Sequence, residues 1–555
     1  MQLDPRAIMN GGLKLAERAG DEAYFAAVCV RSGVVGIEPP RRAVKMLLEF
    51  ERYGLLAGAV AVGALRHGDR AAVIDERGEL TYRELHENSN AIANAWHRQG
   101  LQPGEGVAIL VRNHRGFLES VFAAAKCGAR VILLNTSFAG PQIREVAQRE
   151  GTDLLVYDDE YAEVLGGIDD PPRGRWRAWA DEPSDDTLDA LISHGGRGAP
   201  PRAGTAPRIT ILTSGTTGTP KGAPRSEPKS LGLLGGLLSK VPFKAGEVTE
   251  LCAPMFHALG FAQAVVGVGL GSTLVLHRRF DPEETLASVE RHRATAMVMV
   301  PVMLQRTLDL GEEKIKRYDA LSLRIIFLSG SALGADLACR AMDAFGPVVY
   351  NLYGSTEISY ATIATPEDLR AEPSTVGKVV RGSVVKILDE RGEELPVGES
   401  GRIFVGNLSQ FEGYTGGGGK ESLGGLMASG DVGHFDHEGR LYIDGRDDEM
   451  IVSGGENVFP AEVEELLASH EQIDEAAAIG VDDEKFGQRL KAFVVLRGGA
   501  SLSEDAVKDY VKENLARYKV PREVVFVEEL PRNATGKVLK RELAEDQAGQ
   551  REAAS

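Results

Sequence analysis

Residues 209–224, ITILTSGTTGTPKGAP, join an apolar strand to a loop suited to holding an anion. Glycines allow the backbone N–H groups to turn inward around an anion, and hydroxyls and a lysine add further donors. Pro220 precedes the lysine and Gly222 follows it, so the loop is not a Walker motif. A flexible linker would explain neither the strand before the loop nor the lysine at its end. The pattern predicts a polyphosphate-binding loop made by Thr213, Ser214, Gly215, Thr216, Thr217, Gly218 and Lys221.

Four further polar motifs follow this loop in order. They are LYGSTE (352–357), SGD (429–431), GRDDEMIVSGGENVFPAEVE (445–464) and PRNATGKVLKREL (531–543). Taken singly, Asp431 is typical of a turn, and Lys537 of a protein surface. The ordered set is much more specific than any one member.

Over residues 70–540 these five motifs resemble the signature of the adenylate-forming enzymes. That family includes acyl-CoA synthetases, firefly-type luciferases and the adenylation domains of peptide synthetases. The resemblance implies a ligase that uses ATP and Mg²⁺ to convert a carboxylic acid to an acyl-adenylate, with release of pyrophosphate. Coenzyme A then receives the acyl group as a thioester.

The resemblance also implies a role for each matched residue. Lys537, Glu357 and Thr216 would be catalytic, and Glu357 and Thr216 would hold the Mg²⁺. Asp448 would be the hinge of a mobile domain, and Gly454 and Gly455 would line the path of coenzyme A. The nucleotide would be bound by the loop residues above together with Ser331, Ala332, Tyr353, Gly354, Ser355, Thr356, Asp431 and Arg446, with Tyr353 stacked on adenine.

His257 lies in the apolar segment APMFHALGF, which borders the acyl pocket in relatives. It would gate the acid or assist thioester formation, although an isolated histidine among apolar residues is equally often a packed core residue. The predicted lining is apolar and favours a medium- or long-chain fatty acid, with an aryl acid as the alternative. That lining is Phe256, Leu259, Phe261, Val300, Val302 and Met303.

Strands and helices alternate from residue 107 onward, which predicts an α/β fold of doubly wound mixed sheets. Short β runs from about residue 375 predict a β-rich subdomain, and a small α+β domain on a hinge follows. The predicted units are a helical extension (1–70), an AMP-binding domain (71–447), a mobile domain (448–545) and a tail (546–555). Residues 168–207, rich in Pro, Gly, Asp and Arg, are predicted to be a loop.

Bulk composition excludes several classes of protein. A net charge of -18 argues against a nucleic-acid binder, and four dispersed cysteines argue against disulfides or a zinc site. No apolar run is long enough to span a membrane and no secretory signal is evident, so we expect a cytoplasmic protein with possible peripheral membrane contact. A stand-alone adenylation domain, a luciferase-like oxidase and a non-catalytic adenylate-binding protein remain open alternatives. The oligomeric state is not predicted.

Overall fold

The computed structural model describes residues 5–166, 169–213, 221–225, 230–407, 411–415, 417–447, 451–453, 456–483, 487–515, 519–533 and 536–544. Two long helices come first, α1 (Pro5–Ser32) and α2 (Pro40–His67). Helix α2 begins with proline at its first position, where no backbone N–H is needed. It is broken at Gly54, whose φ of 72° lies in the left-handed region. In the half after Gly54, every residue from Leu56 to Gly63 except the half-buried Ala59 is buried.

Residues 71–225 alternate between strands and helices. Their elements are β1 (Ala71–Asp75), β2 (Gly78–Thr81), α3 (Tyr82–Arg98), β3 (Gly106–Leu110), α4 (Arg115–Lys126), β4 (Arg130–Leu133), α5 (Gly140–Arg149), β5 (Thr152–Asp158), β6 (Arg175–Trp179), α6 (Leu188–His194), β7 (Arg208–Thr213) and β8 (Lys221–Arg225).

Residues 232–446 continue the alternation and then become mainly β. Their elements are α7 (Gly232–Lys240), β9 (Val248–Leu251), α8 (Ala258–Gly269), β10 (Thr273–Val275), α9 (Pro282–His292), β11 (Ala296–Met299), α10 (Pro301–Leu308), α11 (Glu312–Ile315), β12 (Ile325–Leu328), α12 (Ala335–Phe345), β13 (Val349–Tyr353), β14 (Thr362–Ala364), α13 (Pro366–Ala371), β15 (Gly377–Val379), β16 (Val384–Leu388), β17 (Gly401–Gly406), β18 (Ser422–Leu423), β19 (Leu426–Phe435) and β20 (Arg440–Arg446).

The described C-terminal residues form a smaller unit of two helices and five strands. They are β21 (Ile451–Ser453), β22 (Glu456–Val458), α14 (Pro460–Ala468), β23 (Ile473–Asp483), β24 (Gly487–Leu496), α15 (Glu504–Asn514) and β25 (Glu523–Phe526).

Three sheets organise these strands. The largest has 14 strands in the order β16-β17-β19-β20-β15-β14-β13-β12-β11-β9-β10-β1-β2, with β18 beside β19. Its run from β13 to β1 is parallel, and the strands on either side of that run are antiparallel. The second sheet, β6-β5-β3-β4-β7-β8, is parallel except for β8, and the third belongs to the C-terminal unit. The α/β fold of mixed sheets with a smaller C-terminal domain is therefore confirmed.

Local sequence signals account for many element boundaries. Helix α3 starts with a capping box in which the Glu84 carboxylate accepts from the Thr81 backbone N–H at 2.8 Å. Strand β3 is buried at every position because helices and strands surround it, as in other parallel sheets. Trp96, Tyr82, Phe117 and Phe122 are among the largest fully buried side chains between the layers.

The prediction that residues 168–207 form a loop is wrong for part of the segment. Strand β6 pairs with β5 in parallel, and α6 is capped by the Thr187 hydroxyl. The strand is not evident from the sequence RWRAW, because β6 is an edge strand and carries arginines. Trp179, at its end, lies between the Arg77 and Arg278 guanidinium groups, 4.2 and 4.4 Å from its ring centre.

Within the described ranges, no helix combines the length and apolar character that crossing a bilayer requires.

Candidate active site

Several predicted site residues lie at one edge of the 14-stranded sheet. Tyr353 ends β13, Ser331 and Ala332 follow β12, and His257 lies in the turn after β9. These strands are parallel, so their carboxyl ends face the same side, where open α/β sheets bind ligands. Ser331 is half-buried and Ala332 is exposed.

The predicted phosphate loop connects β7 to β8. The two strands are antiparallel, and Thr213 is paired with Lys221, so the loop leaves and re-enters the second sheet at one point. Ser214, Gly215, Thr216, Thr217 and Gly218 lie outside the described residues.

Tyr414, which the sequence analysis did not predict, connects Lys221 to Glu357. The Lys221 Nζ is 5.5 Å from the ring centre of Tyr414. The Tyr414 hydroxyl donates to Glu357 Oε1 at 2.7 Å. Burial and the Glu357 carboxylate raise the pKa of Tyr414, so the tyrosine stays a neutral donor. The structure thus joins the lysine of the first motif to the carboxylate of the second.

Thr415, the next residue, fixes the start of β8. Its hydroxyl donates to Glu150 Oε1 at 2.6 Å and accepts from the Gly222 N–H at 3.1 Å. A Cβ on Gly222 would lie 2.6 Å from both Thr415 Oγ1 and Thr210 Cγ2. Only glycine allows the backbone after Lys221 to approach this closely.

The turn that carries Glu357 is held from two sides. A Cβ on Gly354 would lie 2.1 Å from the carbonyl oxygen of Ser359, so this close approach requires glycine. Ser359 has a φ of 57°, in the left-handed region that non-glycine residues rarely adopt. The Ser355 hydroxyl donates to Glu357 Oε2 at 2.8 Å. The buried carboxylate therefore accepts hydroxyl donors on both oxygens.

Arg225, at the end of β8, clamps the other side of this turn. Its guanidinium donates to the Thr356 carbonyl oxygen and to the Ser359 hydroxyl. Burial lowers the pKa of Arg225, and the Glu357 charge opposes that shift. The clamp thus places a cation near the carboxylate and links β8 directly to the turn after β13.

Asp431, Arg446 and Tyr353 form a second polar group. Asp431 and Arg446 are cross-strand partners on β19 and β20, and Arg446 Nη1 donates to Asp431 Oδ1 at 2.9 Å. The Tyr353 hydroxyl donates to Asp431 Oδ2 at 2.5 Å. Burial, followed by the Asp431 charge, raises the pKa of Tyr353. Tyr353 was predicted to stack on adenine through its ring. The structure shows in addition that its hydroxyl orients Asp431.

Asn351 lies two residues before Tyr353 and so on the same face of β13. Its side chain is buried, and its Oδ1 accepts no hydrogen bond from any described residue. A buried acceptor without a donor is costly, which makes it a candidate for a ligand contact.

His257 begins α8 without capping it through its side chain. Its ring centre is 4.4 Å from that of Phe256, and its buried Nε2 has no hydrogen-bond partner in the described parts of the chain. Burial lowers the pKa of His257 to about 4. Phe261 and Val300 of the predicted lining are also buried, whereas Leu259, Val302 and Met303 are half-buried.

Lys537 lies in a tight turn of the C-terminal unit. Its N–H donates to Asn533 Oδ1 at 2.9 Å, and its carbonyl accepts from the Asn533 N–H at 3.0 Å. Gly536 has a φ of 79°, and a Cβ there would lie 2.3 Å from Cγ1 of Val302. The turn thus packs on the predicted acyl lining while the Lys537 side chain remains exposed.

Sequence comparison assigns this architecture to a family. The family described as AMP-binding enzyme matches residues 60–415, and the AMP-binding enzyme C-terminal domain matches residues 462–537. The chain belongs to the AMP-binding enzyme family. As an AMP-forming acid–thiol ligase, it uses ATP and coenzyme A.

Individual relatives of this ligase cover most of both chains. It is 32% identical to the feruloyl-CoA synthase of an Amycolatopsis species, over 86% of this chain and 95% of the relative. It is also 32% identical to the indoleacetate–CoA ligase of Aromatoleum aromaticum, over 86% and 94%. The solved o-succinylbenzoate CoA synthetase of Bacillus subtilis with its acyl-adenylate intermediate is 27% identical, with a TM-score of 0.75 over 87% and 97% of the two chains.

Three residues predicted for the second half of the ligase reaction lie outside the described residues. They are the hinge residue Asp448 and the glycines Gly454 and Gly455. The flanking strands β20 and β21 are described, and a Cβ on Gly445 would lie 2.6 Å from the Phe459 ring. The strand before the predicted hinge therefore packs closely against Phe459, which follows the hinge in the chain.

A cavity of about 510 Å³ lies elsewhere on the same sheet edge of the ligase, beyond β1 and β10. It is lined by acids and bases together, including Asp75, His277, Arg278 and Glu284. Arg278 is paired with Glu160 at 2.8 Å. Several of its lining charges are paired with residues around it, as Asp75 is with Arg115 and His277 is with Glu250. Because no predicted site residue lines it, this cavity is not the candidate active site.

The ligase residues that sequence reasoning missed had weak local signals. Tyr414 and Thr415 directly precede the glycine run 416–419, a composition that by itself indicates only a loop. Arg225 is a charged residue at the end of a short strand, where a solvated position is the default. Asn351 occupies a position that resembles any polar strand residue until its burial is known.

Proposed function

We propose that this ligase activates an apolar carboxylic acid that bears an aryl group, and that the residues assembled above carry out its two half-reactions. The strongest support is the link from Lys221 through Tyr414 to Glu357, beside the Asp431–Arg446 pair. Residues almost 200 positions apart thus meet at one sheet edge in a polar arrangement that matches a nucleotide polyphosphate.

The nucleotide would lie across the ends of β13, β19 and β20. Asp431 accepts hydrogen bonds from the ribose hydroxyls, and Arg446 donates to the same sugar. The unpartnered Asn351 Oδ1 matches the adenine amino group, which is a donor. The loop 213–221 holds the phosphates through its backbone N–H groups, its hydroxyls and Lys221.

Glu357 and Thr216 would hold the Mg²⁺. Glu357 would supply one carboxylate oxygen, and phosphate oxygens of the nucleotide and water would supply the remaining ligands. Mg²⁺ commonly binds in this way. When bound, it neutralises charge on the phosphates. Glu357 fits because its carboxylate is buried and is oriented by two hydroxyl donors, one on each oxygen.

In adenylation, a carboxylate oxygen of the acid forms a bond to the α-phosphorus, and the bond to the β-phosphate bridging oxygen breaks. Pyrophosphate leaves with the electron pair. Lys537 bridges the carboxylate and the α-phosphate, where negative charge accumulates. The packing of Gly536 on Val302 supports this role because it brings the lysine turn to the acyl lining.

In thioester formation, the C-terminal domain rotates about Asp448, and the path beside Gly454 and Gly455 admits the pantetheine arm. The sulfur forms a bond to the acyl carbon, the acyl C–O bond to AMP breaks, and the thiol proton passes to solvent or to the departing phosphate. His257, with a pKa of about 4, is a weak base for a thiol. We therefore assign it to gating the acid rather than to deprotonating coenzyme A.

Two observations support an aryl group on the acid. The names of the two curated relatives and of the solved synthetase all indicate aromatic acids. Phe256 and Phe261 offer aromatic surfaces for edge-to-face packing. A fatty acid is the second candidate, because the predicted lining has aliphatic members and presents no charged residue.

An acid panel tests this function directly. The purified protein is given ATP, Mg²⁺ and coenzyme A with cinnamic-type acids, arylacetic acids, and fatty acids of 4 to 18 carbons. Pyrophosphate release and thiol consumption are measured separately. We expect both to be highest with an aryl acid. Activity confined to fatty acids would overturn the aryl assignment, and pyrophosphate release without thiol consumption would indicate a different acyl acceptor.

A further inference from the structure

The N-terminal helices present large apolar side chains to solvent. Val44, Leu47 and Leu48 on the first half of α2 are 56, 68 and 54% exposed. Ile37, just before α2, is fully exposed, and Val30 and Val35 are also exposed. We refer to these six residues as the N-terminal apolar patch. Such a concentration of exposed aliphatic side chains within 20 residues is unusual for a monomer surface.

The break at Gly54 explains why this half of α2 is not buried. After Gly54 the helix packs into the core, where Leu56, Ala57 and Val60 are buried. Before it, Phe50 folds back so closely that a Cβ on Gly58 would lie 2.6 Å from its ring. The inner side of the first half is thus packed, whereas no element among the described residues covers its outer side.

Basic residues lie beside the patch. Val44, Leu47 and Leu48 follow the spacing i, i+3, i+4 of one helix face. Arg41, Lys45 and Arg52 lie at a similar angle about the helix axis, next to that face. We refer to these three residues as the basic row. Residues 30–52 contain five basic and three acidic residues, a net charge of +2, although the whole chain carries -18.

The acidic residues of this segment are largely engaged. Glu38 is paired with Arg66 at 2.8 Å, and Glu51 with Arg202 at 3.1 Å. In contrast, no ion pair with a described residue involves Arg31, Arg41 or Lys45, which are exposed. The face therefore presents aliphatic side chains and available positive charge together.

We propose that the N-terminal apolar patch and its basic row form a docking surface for an anionic lipid bilayer. Aliphatic side chains on one helix face with Lys and Arg at its border are typical of helices that lie in the membrane interface. A second copy of the chain is a poorer match, because a two-fold contact would oppose the basic row to itself. The proposal does not depend on the acid or on the ligase chemistry.

Vesicle sedimentation tests this surface with the full chain. Vesicles of phosphatidylcholine containing 30% phosphatidylglycerol are compared with phosphatidylcholine alone, at 50 and 500 mM salt. We expect binding to the anionic vesicles that weakens at high salt and is at least about tenfold weaker without phosphatidylglycerol. Absence of binding by the wild-type protein would overturn the proposal.

Matched substitutions locate the contact. Leu47→Glu with Leu48→Glu should reduce partitioning at least about tenfold. Arg41→Gln with Lys45→Gln should reduce it about fivefold per charge at low salt. Leu321→Glu changes a leucine that is 92% exposed elsewhere and should leave binding unchanged. Pyrophosphate release with a soluble acid monitors folding in each variant.

Two results would contradict the assignment. Equal binding by Leu47→Glu/Leu48→Glu and wild-type protein would place the membrane contact elsewhere. A wild-type protein that does not bind vesicles but is a dimer in solution, and becomes monomeric in that double variant, would assign the patch to self-association.

Discussion

At the scale of single residues, the candidate site depends on a few charged side chains with different surroundings. Lys537 is exposed, Glu357 is buried between two hydroxyls, and His257 lies against the Phe256 ring. These surroundings determine what a substitution at each position should do.

Lys537→Ala should block only the first half-reaction. The ammonium stabilises charge that develops on the α-phosphate, and loss of one such electrostatic partner typically lowers a rate about 10²–10³-fold. Pyrophosphate release should fall by that factor, whereas thioester formation from a supplied acyl-adenylate should be retained. Lys512→Ala, an exposed lysine on α15, is the matched control. An equal loss in both half-reactions would remove the assignment.

His257 should remain neutral throughout the physiological range. Its folded pKa of about 4 lies below the ordinary 6.5, so the unfolded chain binds the proton first as the pH falls. Its contribution to stability is complete above pH 6.5 and is lost progressively down to pH 4, by up to about 3 kcal/mol. Denaturant unfolding at pH 7 and pH 5 should show a smaller pH effect in His257→Phe than in the wild type.

The exposed His97 provides the control for this measurement. His97→Phe makes the same substitution at a position that is exposed to solvent. An activity profile that depends on His257 protonation near pH 6.5 would contradict its burial as a neutral ring.

At the scale of elements, the structure shows a link that the sequence did not reveal, between β8 and the turn after β13. Arg225 donates to the backbone of Thr356 and to Ser359, whose left-handed φ needs support from its surroundings. The strand that leaves the phosphate loop therefore positions the turn that carries Glu357.

Arg225→Met should uncouple these two elements while preserving side-chain volume. Loss of the charged donors should slow pyrophosphate release about 10- to 100-fold and raise the Mg²⁺ concentration needed for half-maximal rate. Arg225→Lys, which keeps the charge but not the fork of donors, should recover part of the rate. Arg208→Met on the neighbouring β7 removes an exposed arginine and is the control. A normal Mg²⁺ requirement in Arg225→Met would argue against the positioning role.

At the scale of the whole molecule, the C-terminal unit contacts the rest of the ligase through the turn at Gly536. Its backbone has a positive φ and lies against Val302, so any side chain would be strained and would meet the Val302 methyl groups. Val302 lies in the first turn of α10 and belongs to the predicted acyl lining, so the same residue contacts both the C-terminal unit and the predicted acid site.

Gly536→Ala should therefore impair adenylation more than thioester formation, because only the first step needs this docking. Gly499→Ala is an unusually close control, since Gly499 also has a positive φ of 82° in the same domain but no atom within 4 Å of its Cβ position. Backbone strain alone would affect both variants, whereas lost docking would affect only Gly536→Ala. Equal rates of pyrophosphate release in the two variants would exclude a role for the contact.

The sequence by itself determined the fold class, the order of the motifs and the chemistry they serve. Strand and helix periodicity, glycine positions and charged residues are local properties, and local properties can be read from a chain. They were enough to predict Lys221, Glu357, Asp431 and Arg446 as site residues, and the structure links Lys221 to Glu357 through Tyr414 and pairs Asp431 with Arg446.

Only the tertiary structure decided which residues complete each contact. Tyr414 links Lys221 to Glu357, Arg225 clamps the turn after β13, and Asn351 is left with an unpartnered buried oxygen. Strand β6 and the break in α2 were likewise not predictable from the sequence. Edge strands tolerate arginines, and a glycine either occupies a helix or interrupts it. Burial and proximity are set by chain segments hundreds of residues away, so no local pattern could contain them.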